Sequence, residues 1–103
     1  MIYKLYIPKQ FKGNRVCPSM VEDTNFNHIR AELKRFAMGW TEYDGSGFWV
    51  NSEGKEFSEP VKVFEIVTDN NLTDMLELTL KYFKSWLNQE SMFYVKDNIG
   101  VYI

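Results

Sequence analysis

A chain of 103 residues and 12.2 kDa, 45% apolar, 25% charged and 17% aromatic, has the balance of one globular domain. That excludes a disordered or collagen-like chain. A formal charge of −2 lacks the concentrated basic footprint that binding to duplex nucleic acid needs, so a duplex partner is disfavoured.

The halves differ in sign. Residues 1–37 hold seven basic and three acidic side chains, for +4, and the remainder comes to −6. Such a split either steers a partner or cancels when the halves interleave. No run of 18 apolar residues is present to span a membrane. Met1-Ile2-Tyr3-Lys4-Leu5-Tyr6 has no basic stretch leading into an apolar one, so no signal peptide is expected. One cysteine, Cys17, excludes an intrachain disulfide framework, and the expected compartment is the cytoplasm.

Ile2–Ile7 alternates, with Tyr3, Leu5 and Ile7 on one face and Ile2, Lys4 and Tyr6 on the other, which predicts a strand closed by Pro8. A polar loop over 9–18 follows. Ser19 and Glu22 have the spacing of a capping box, with Thr24 as an alternative start, and Phe26, Ile29, Leu33 and Phe36 or Ala37 recur at helical spacing. They predict a first helix with Gly39 as its stop. Trp40–Tyr43 and Phe48-Trp49-Val50 read as extended chain. Asp44-Gly45-Ser46-Gly47 between them is expected to form a turn or bulge, because Asp-Gly supplies backbone freedom. Asn51–Lys55 predicts a second turn, and the β-branched run Val61–Thr68 after Pro60 predicts the strongest strand.

Asn71 with Asp74 marks the start of a second helix of about sixteen residues. Its buried stripe is Leu72, Leu76, Thr79 or Leu80, Phe83 and Leu87, with Met75, Tyr82 and Trp86 as a flank. Met92–Val95 is a strand, Asp97-Asn98 a turn, and Ile99–Ile103 a last short strand. The order β-α-β-β-α-β with a short extra C-terminal strand predicts an α+β, ferredoxin-like sandwich occupying residues 1–103, with both helices on one face of an antiparallel sheet.

The other sheet face is then uncovered. Tyr6, Trp40, Phe48, Trp49, Phe64 and Tyr94 are more aromatic bulk than a core of this size hides. Tyr6, Trp40, Phe48, Trp49 and Tyr94 are the candidate interface or binding residues. A second subunit packed sheet to sheet, or another protein, would cover such a patch; the alternative cover is loop 9–18 or the C-terminal strand. Sheet aromatics also admit single-stranded nucleic acid, although the basic-Gly-aromatic run of an RNA-recognition module is missing.

Catalytic constellations are sparse. His28 is four residues from Glu32, which is too few ligands for a metal, and no H-E-x-x-H pattern occurs. Cys17 has no base beside it in sequence. Asp44, Glu53, Glu56 and Glu59 form a loose acidic group without calcium-loop spacing. No phosphate-binding glycine motif is present, so neither cofactor nor metal is expected. The leading expectation is a non-enzymatic, self-associating or partner-binding domain. Its rival is a small dimeric α+β barrel-type enzyme acting on an apolar or aromatic small molecule, with His28, Tyr43 and Asp44 as its polar groups.

Gly39-Trp40-Thr41-Glu42-Tyr43-Asp44-Gly45-Ser46-Gly47-Phe48-Trp49 resembles the G-x-T-x-x-D-x-x-G-x-W segment of an uncharacterised bacterial family, domain of unknown function 3574. Glu59 ahead of Val61–Val67 is similar to that family's Glu before its central strand. Tyr82-Phe83 followed by Gln89-Glu90-Ser91 is similar to its Tyr-x-x-x-F-x-Q-E-S stretch, with Trp86 where the family's aromatic stands. The islands span roughly residues 2–103. Pro8-Lys9-Gln10-Phe11 departs from the family's Phe-Gly-Arg segment. The resemblance implies a fold and carries no catalytic residues, because no activity is established for the family.

Overall fold

A computed structural model describes the backbone of residues 1–11, 15–16, 19–87, 89 and 91–103, and the side chains of 1–9, 24–87, 89 and 91–103. The elements are β1 (Ile2–Pro8), β2 (Gln10–Phe11), β3 (Arg15–Val16), α1 (Ser19–Leu33), β4 (Thr41–Val50), β5 (Glu56–Val67), α2 (Thr73–Trp86), β6 (Phe93–Lys96) and β7 (Ile99–Tyr102). The main sheet runs β4-β5-β1-β6-β7, antiparallel throughout. The fold is therefore the α+β sandwich that the element order predicts, with β7 added outside β6. The short β2–β3 ribbon, Gln10 opposite Val16, lies within the expected loop 9–18. Cys17 and Pro18 are outside the described residues.

Strand parity decides what is buried. Leu5 stands opposite Phe64 and Tyr94, and Tyr3 opposite Ile66, so these side chains share the helix-facing side. Phe26, Ile29 and Leu33 of α1 and Leu76, Leu80 and Phe83 of α2 meet them in one core. Both helices thus cover the same sheet face.

Three local expectations change, while the turn expected at 51–55 is present. The first helix ends at Leu33, not Gly39, although Ala37 still donates to the Leu33 carbonyl at 2.8 Å and is buried. Asp44–Gly47 is no turn: β4 runs unbroken, with Gly45 opposite Val61 and Gly47 opposite Glu59. The chain reverses at 51–55, where Asn51 Oδ1 accepts from the Glu53 and Lys55 N–H groups and Gly54 has φ +80°, a conformation that favours glycine.

The strong strand starts at Glu56, so Pro60 is inside it rather than before it. Its carbonyl accepts from Lys9 N–H at 3.0 Å, on the β1 side, where β1 has just ended. The donor that proline lacks would point the same way, so the ladder with β4 loses no bond.

The N-terminus of α2 is held from β1. Tyr3 is fully buried, and its hydroxyl accepts from Leu72 N–H at 3.0 Å while lying 3.2 Å from Asn71 Oδ1 and 3.1 Å from Thr73 Oγ1. It thereby satisfies a helix-start donor that no capping side chain takes. At the opposite edge, a Cβ on Gly100 would sit 2.7 Å from Phe93 Cε2, so the ring lies directly on the glycine.

Tyr3→Phe should cost about 1–3 kcal/mol, because a buried N–H loses its partner. Gly100→Ala should cost about 1–3 kcal/mol through displacement of the Phe93 ring. Urea denaturation of both variants checks the pair, and wild-type midpoints would contradict these roles.

Candidate functional site on the open sheet face

The face away from the helices is built by the other parity. Tyr6, Tyr43, Trp49, Phe57, Glu59, Val61, Val63, Phe93 and Tyr102 share it, through the pairs Tyr6–Val63, Tyr43–Val63, Trp49–Phe57, Tyr6–Phe93 and Phe93–Tyr102. Two aromatic groups result. Trp49 stacks on Phe57 with centroids 4.2 Å apart and planes 12° apart. Phe93 bridges Tyr6 at 5.5 Å and Tyr102 at 4.9 Å.

Between them, Val61 and Val63 are buried and Gly45 and Gly47 lower the sheet surface. Cβ atoms at these glycines would meet Val61 Cγ2 at 3.6 Å and Glu59 Cγ at 3.7 Å. Glu59 is half-buried here, and burial raises its carboxyl above the ordinary carboxylate range. Among the described residues it has no hydrogen-bonding or ionic partner.

The opposite situation holds on the helix side of β4. Glu42 accepts from Arg30 Nη2 at 2.6 Å, Arg30 Nε at 2.9 Å and Trp40 Nε1 at 3.0 Å. The Arg30 hydrogen bonds hold its carboxyl below the usual range, against the opposing effect of burial. Asp44 pairs with Lys9 at 2.7 Å and Lys62 at 3.1 Å. Hydrogen bonds from Lys9, then Lys62, lower its pKa.

The candidate interface residues therefore separate. Tyr6 and Trp49 lie on the open face. Phe48 is 64% exposed but projects to the helix side, opposite Ser58. Trp40 packs against the core. Tyr94 is corrected outright: it is 1% exposed, faces the helices with Leu5 and donates to Glu77 Oε2. That burial, followed by the Glu77 contact, pushes its hydroxyl pKa well up.

The enzyme candidates do not converge either. Tyr43 and Asp44 are strand neighbours on opposite faces, while His28 meets Trp86 edge-on at 4.9 Å, where α1 and α2 adjoin. The loose acidic group also divides, with Asp44 on the helix side and Glu59 on the open face. Phe57, Phe93 and Tyr102 are site residues that sequence reasoning missed. Alternation through Phe57, Glu59, Val61 and Val63 was the available signal, and it is hidden once the strand is started after Pro60. Among the described residues no group of three or more His, Cys, Asp or Glu side chains could hold a metal, and no helix is long and apolar enough to cross a membrane.

No family model and no curated protein matches the chain. A solved structure does: a phage SAM lyase in complex with S-methyl-5′-thioadenosine is similar at a TM-score of 0.69 and 11% identity, over 99% of this chain and 87% of that one. At that identity the likeness shows a shared fold.

Glu59→Gln should raise stability at neutral pH. A carboxyl whose folded pKa is raised contributes stability below its unfolded pKa and loses it as pH rises through the folded value. The advantage of the variant should therefore vanish below about pH 4. Urea midpoints across pH 3–8 measure this, and a destabilised variant at neutral pH would show that Glu59 is a structural anchor.

Proposed function

We propose that the open sheet face binds an adenosine-class small molecule and that the chain is an enzyme cleaving a sulfonium nucleoside. The observation that carries this reading is Glu59, a half-buried carboxyl without a partner among the described residues, two residues along β5 from the stacked Trp49–Phe57 pair. A purine stacks on an aromatic plane at about 1–3 kcal/mol per base. A sulfonium carries the positive charge that an uncompensated carboxylate lacks, and partial burial strengthens their attraction. The substrate's own carboxylate can attack the γ-carbon of S-adenosylmethionine, so that a lactone carbon–oxygen bond forms as the carbon–sulfur bond breaks, and the electron pair leaves on a neutral thioether that takes no proton. The site then needs only to hold the cation, stack the base and place one carboxylate. The fold-level likeness to a SAM lyase holding S-methyl-5′-thioadenosine supports this choice of ligand. The proposed compartment is the cytoplasm, on the strength of the single cysteine.

A second reading keeps the face and changes its occupant. The Tyr6–Phe93–Tyr102 group, with Tyr102 75% exposed, favours a protein surface, and the domain would then be a non-enzymatic binding module.

Titration with S-adenosylmethionine and S-methyl-5′-thioadenosine, followed by calorimetry and tryptophan fluorescence, separates the two. The small-molecule reading expects saturable binding of both, with loss of S-adenosylmethionine from the mixture. Glu59→Gln should weaken binding of the cation about tenfold, the equivalent of one charge contact, and leave the neutral thioether unaffected. Absence of binding by either compound rejects the small-molecule reading.

A further inference from the structure

We propose that the free edge of β4 pairs antiparallel with β4 of a second copy, centred on Ser46, so that two sheets join into one. This concerns the sheet edge, and of the ligand site formed by Glu59 and the Trp49–Phe57 pair it shares only Trp49.

Among the described residues the edge is chemically unfinished. Pro60 directs its carbonyl to Lys9, towards β1, so Ser46 opposite it turns its own N–H and C=O away from β5. Alternation gives Glu42, Asp44, Phe48 and Val50 the same outward orientation. A row of backbone donors and acceptors therefore faces away from the sheet along the full length of β4. Proteins usually protect such an edge with proline, lysine, a bulge or a very short strand. β4 has none of these over its ten paired residues. Its two carboxylates do not protect it, since Glu42 is held by Arg30 and Asp44 by Lys9 and Lys62 on the helix side. Tyr43, Phe48, Trp49 and Val50 are all exposed along it.

The order of residues selects a second copy as the occupant. Tyr43-x-Gly45-Ser46-Gly47-x-Trp49 reads nearly the same in both directions about Ser46. Antiparallel pairing at that centre sets Tyr43 opposite the partner's Trp49 and Gly45 opposite the partner's Gly47, on the open-face side. On the helix side Asp44 meets the partner's Phe48, and Glu42 meets the partner's Val50, so no like charges oppose. Outward-facing residues fall opposite outward-facing residues, as the hydrogen-bonded pairs of the ladder require. Two Tyr–Trp cross-strand pairs flank the glycines and shield their backbone. The contact is self-complementary and closes at two copies.

Light scattering on size-exclusion peaks, over a hundredfold range of loading, should give a molar mass near twice 12.2 kDa, falling towards one copy at the lowest loading. Ser46→Lys puts two ammonium groups opposite each other and should yield a monomer with an unchanged circular dichroism spectrum. Ser46→Glu should behave alike, and an equimolar mixture of the two should recover the dimer. Phe48→Pro, which removes another outward N–H, is the second blocking variant should the Ser46 variants fail to fold. A monomeric wild type at every loading, a Ser46→Lys or Phe48→Pro variant that remains dimeric, or a mixture that stays monomeric overturns the proposal.

Discussion

Two amphipathic helices, each with one apolar stripe, cover one side of a five-stranded sheet, and among the described residues no helix packs on the other. Everything functional in this chain follows from that asymmetry. The covered side takes Tyr3, Leu5, Phe64 and Tyr94 into a continuous core, and the opposite parity of the same strands leaves Trp49, Phe57, Phe93 and Tyr102 on a second aromatic surface. The Tyr3 hydroxyl fastens the arrangement across 69 residues of sequence by closing the start of α2.

Polar groups divide along the same line. On the helix side of β4 each carboxylate has cations of its own chain, and Glu42 and Asp44 are accordingly held ionised. On the open face Glu59 is buried far enough to raise its pKa, with burial as its one cause. Such a group costs stability in the isolated chain, and a cationic ligand would remove that cost. Sites kept against the interest of folding are where function concentrates.

Alternation in Ile2–Ile7, the helical spacing of Phe26, Ile29 and Leu33, and that of Leu76, Leu80 and Phe83 were legible from the sequence, because each element's apolar face is a local property. Glu59 was not legible as a site residue, because in sequence it is one of a loose acidic group with Asp44, Glu53 and Glu56. Asp44–Gly47 misled, since Asp-Gly has the composition of a turn. Only pairing with β5, where Val61 packs against the glycines, reveals a strand. Pro60 misled for a similar reason: whether a missing N–H breaks a ladder depends on which neighbour is still present beside it.

The sequence by itself determined the element order, the two helical stripes and a surplus of aromatic rings, all of which depend on spacing along the chain. Which rings became core and which became surface was decided by tertiary structure. A strand position has a face only once its register is set, and one step along β6 moves Phe93 to the open side and Tyr94 to the core. The same holds for charge. Asp44 and Glu59 are equally acidic in sequence, and their difference arises from which lysines come within reach: Lys9 and Lys62 meet Asp44, whereas on the open face Lys4 pairs with Glu65 instead.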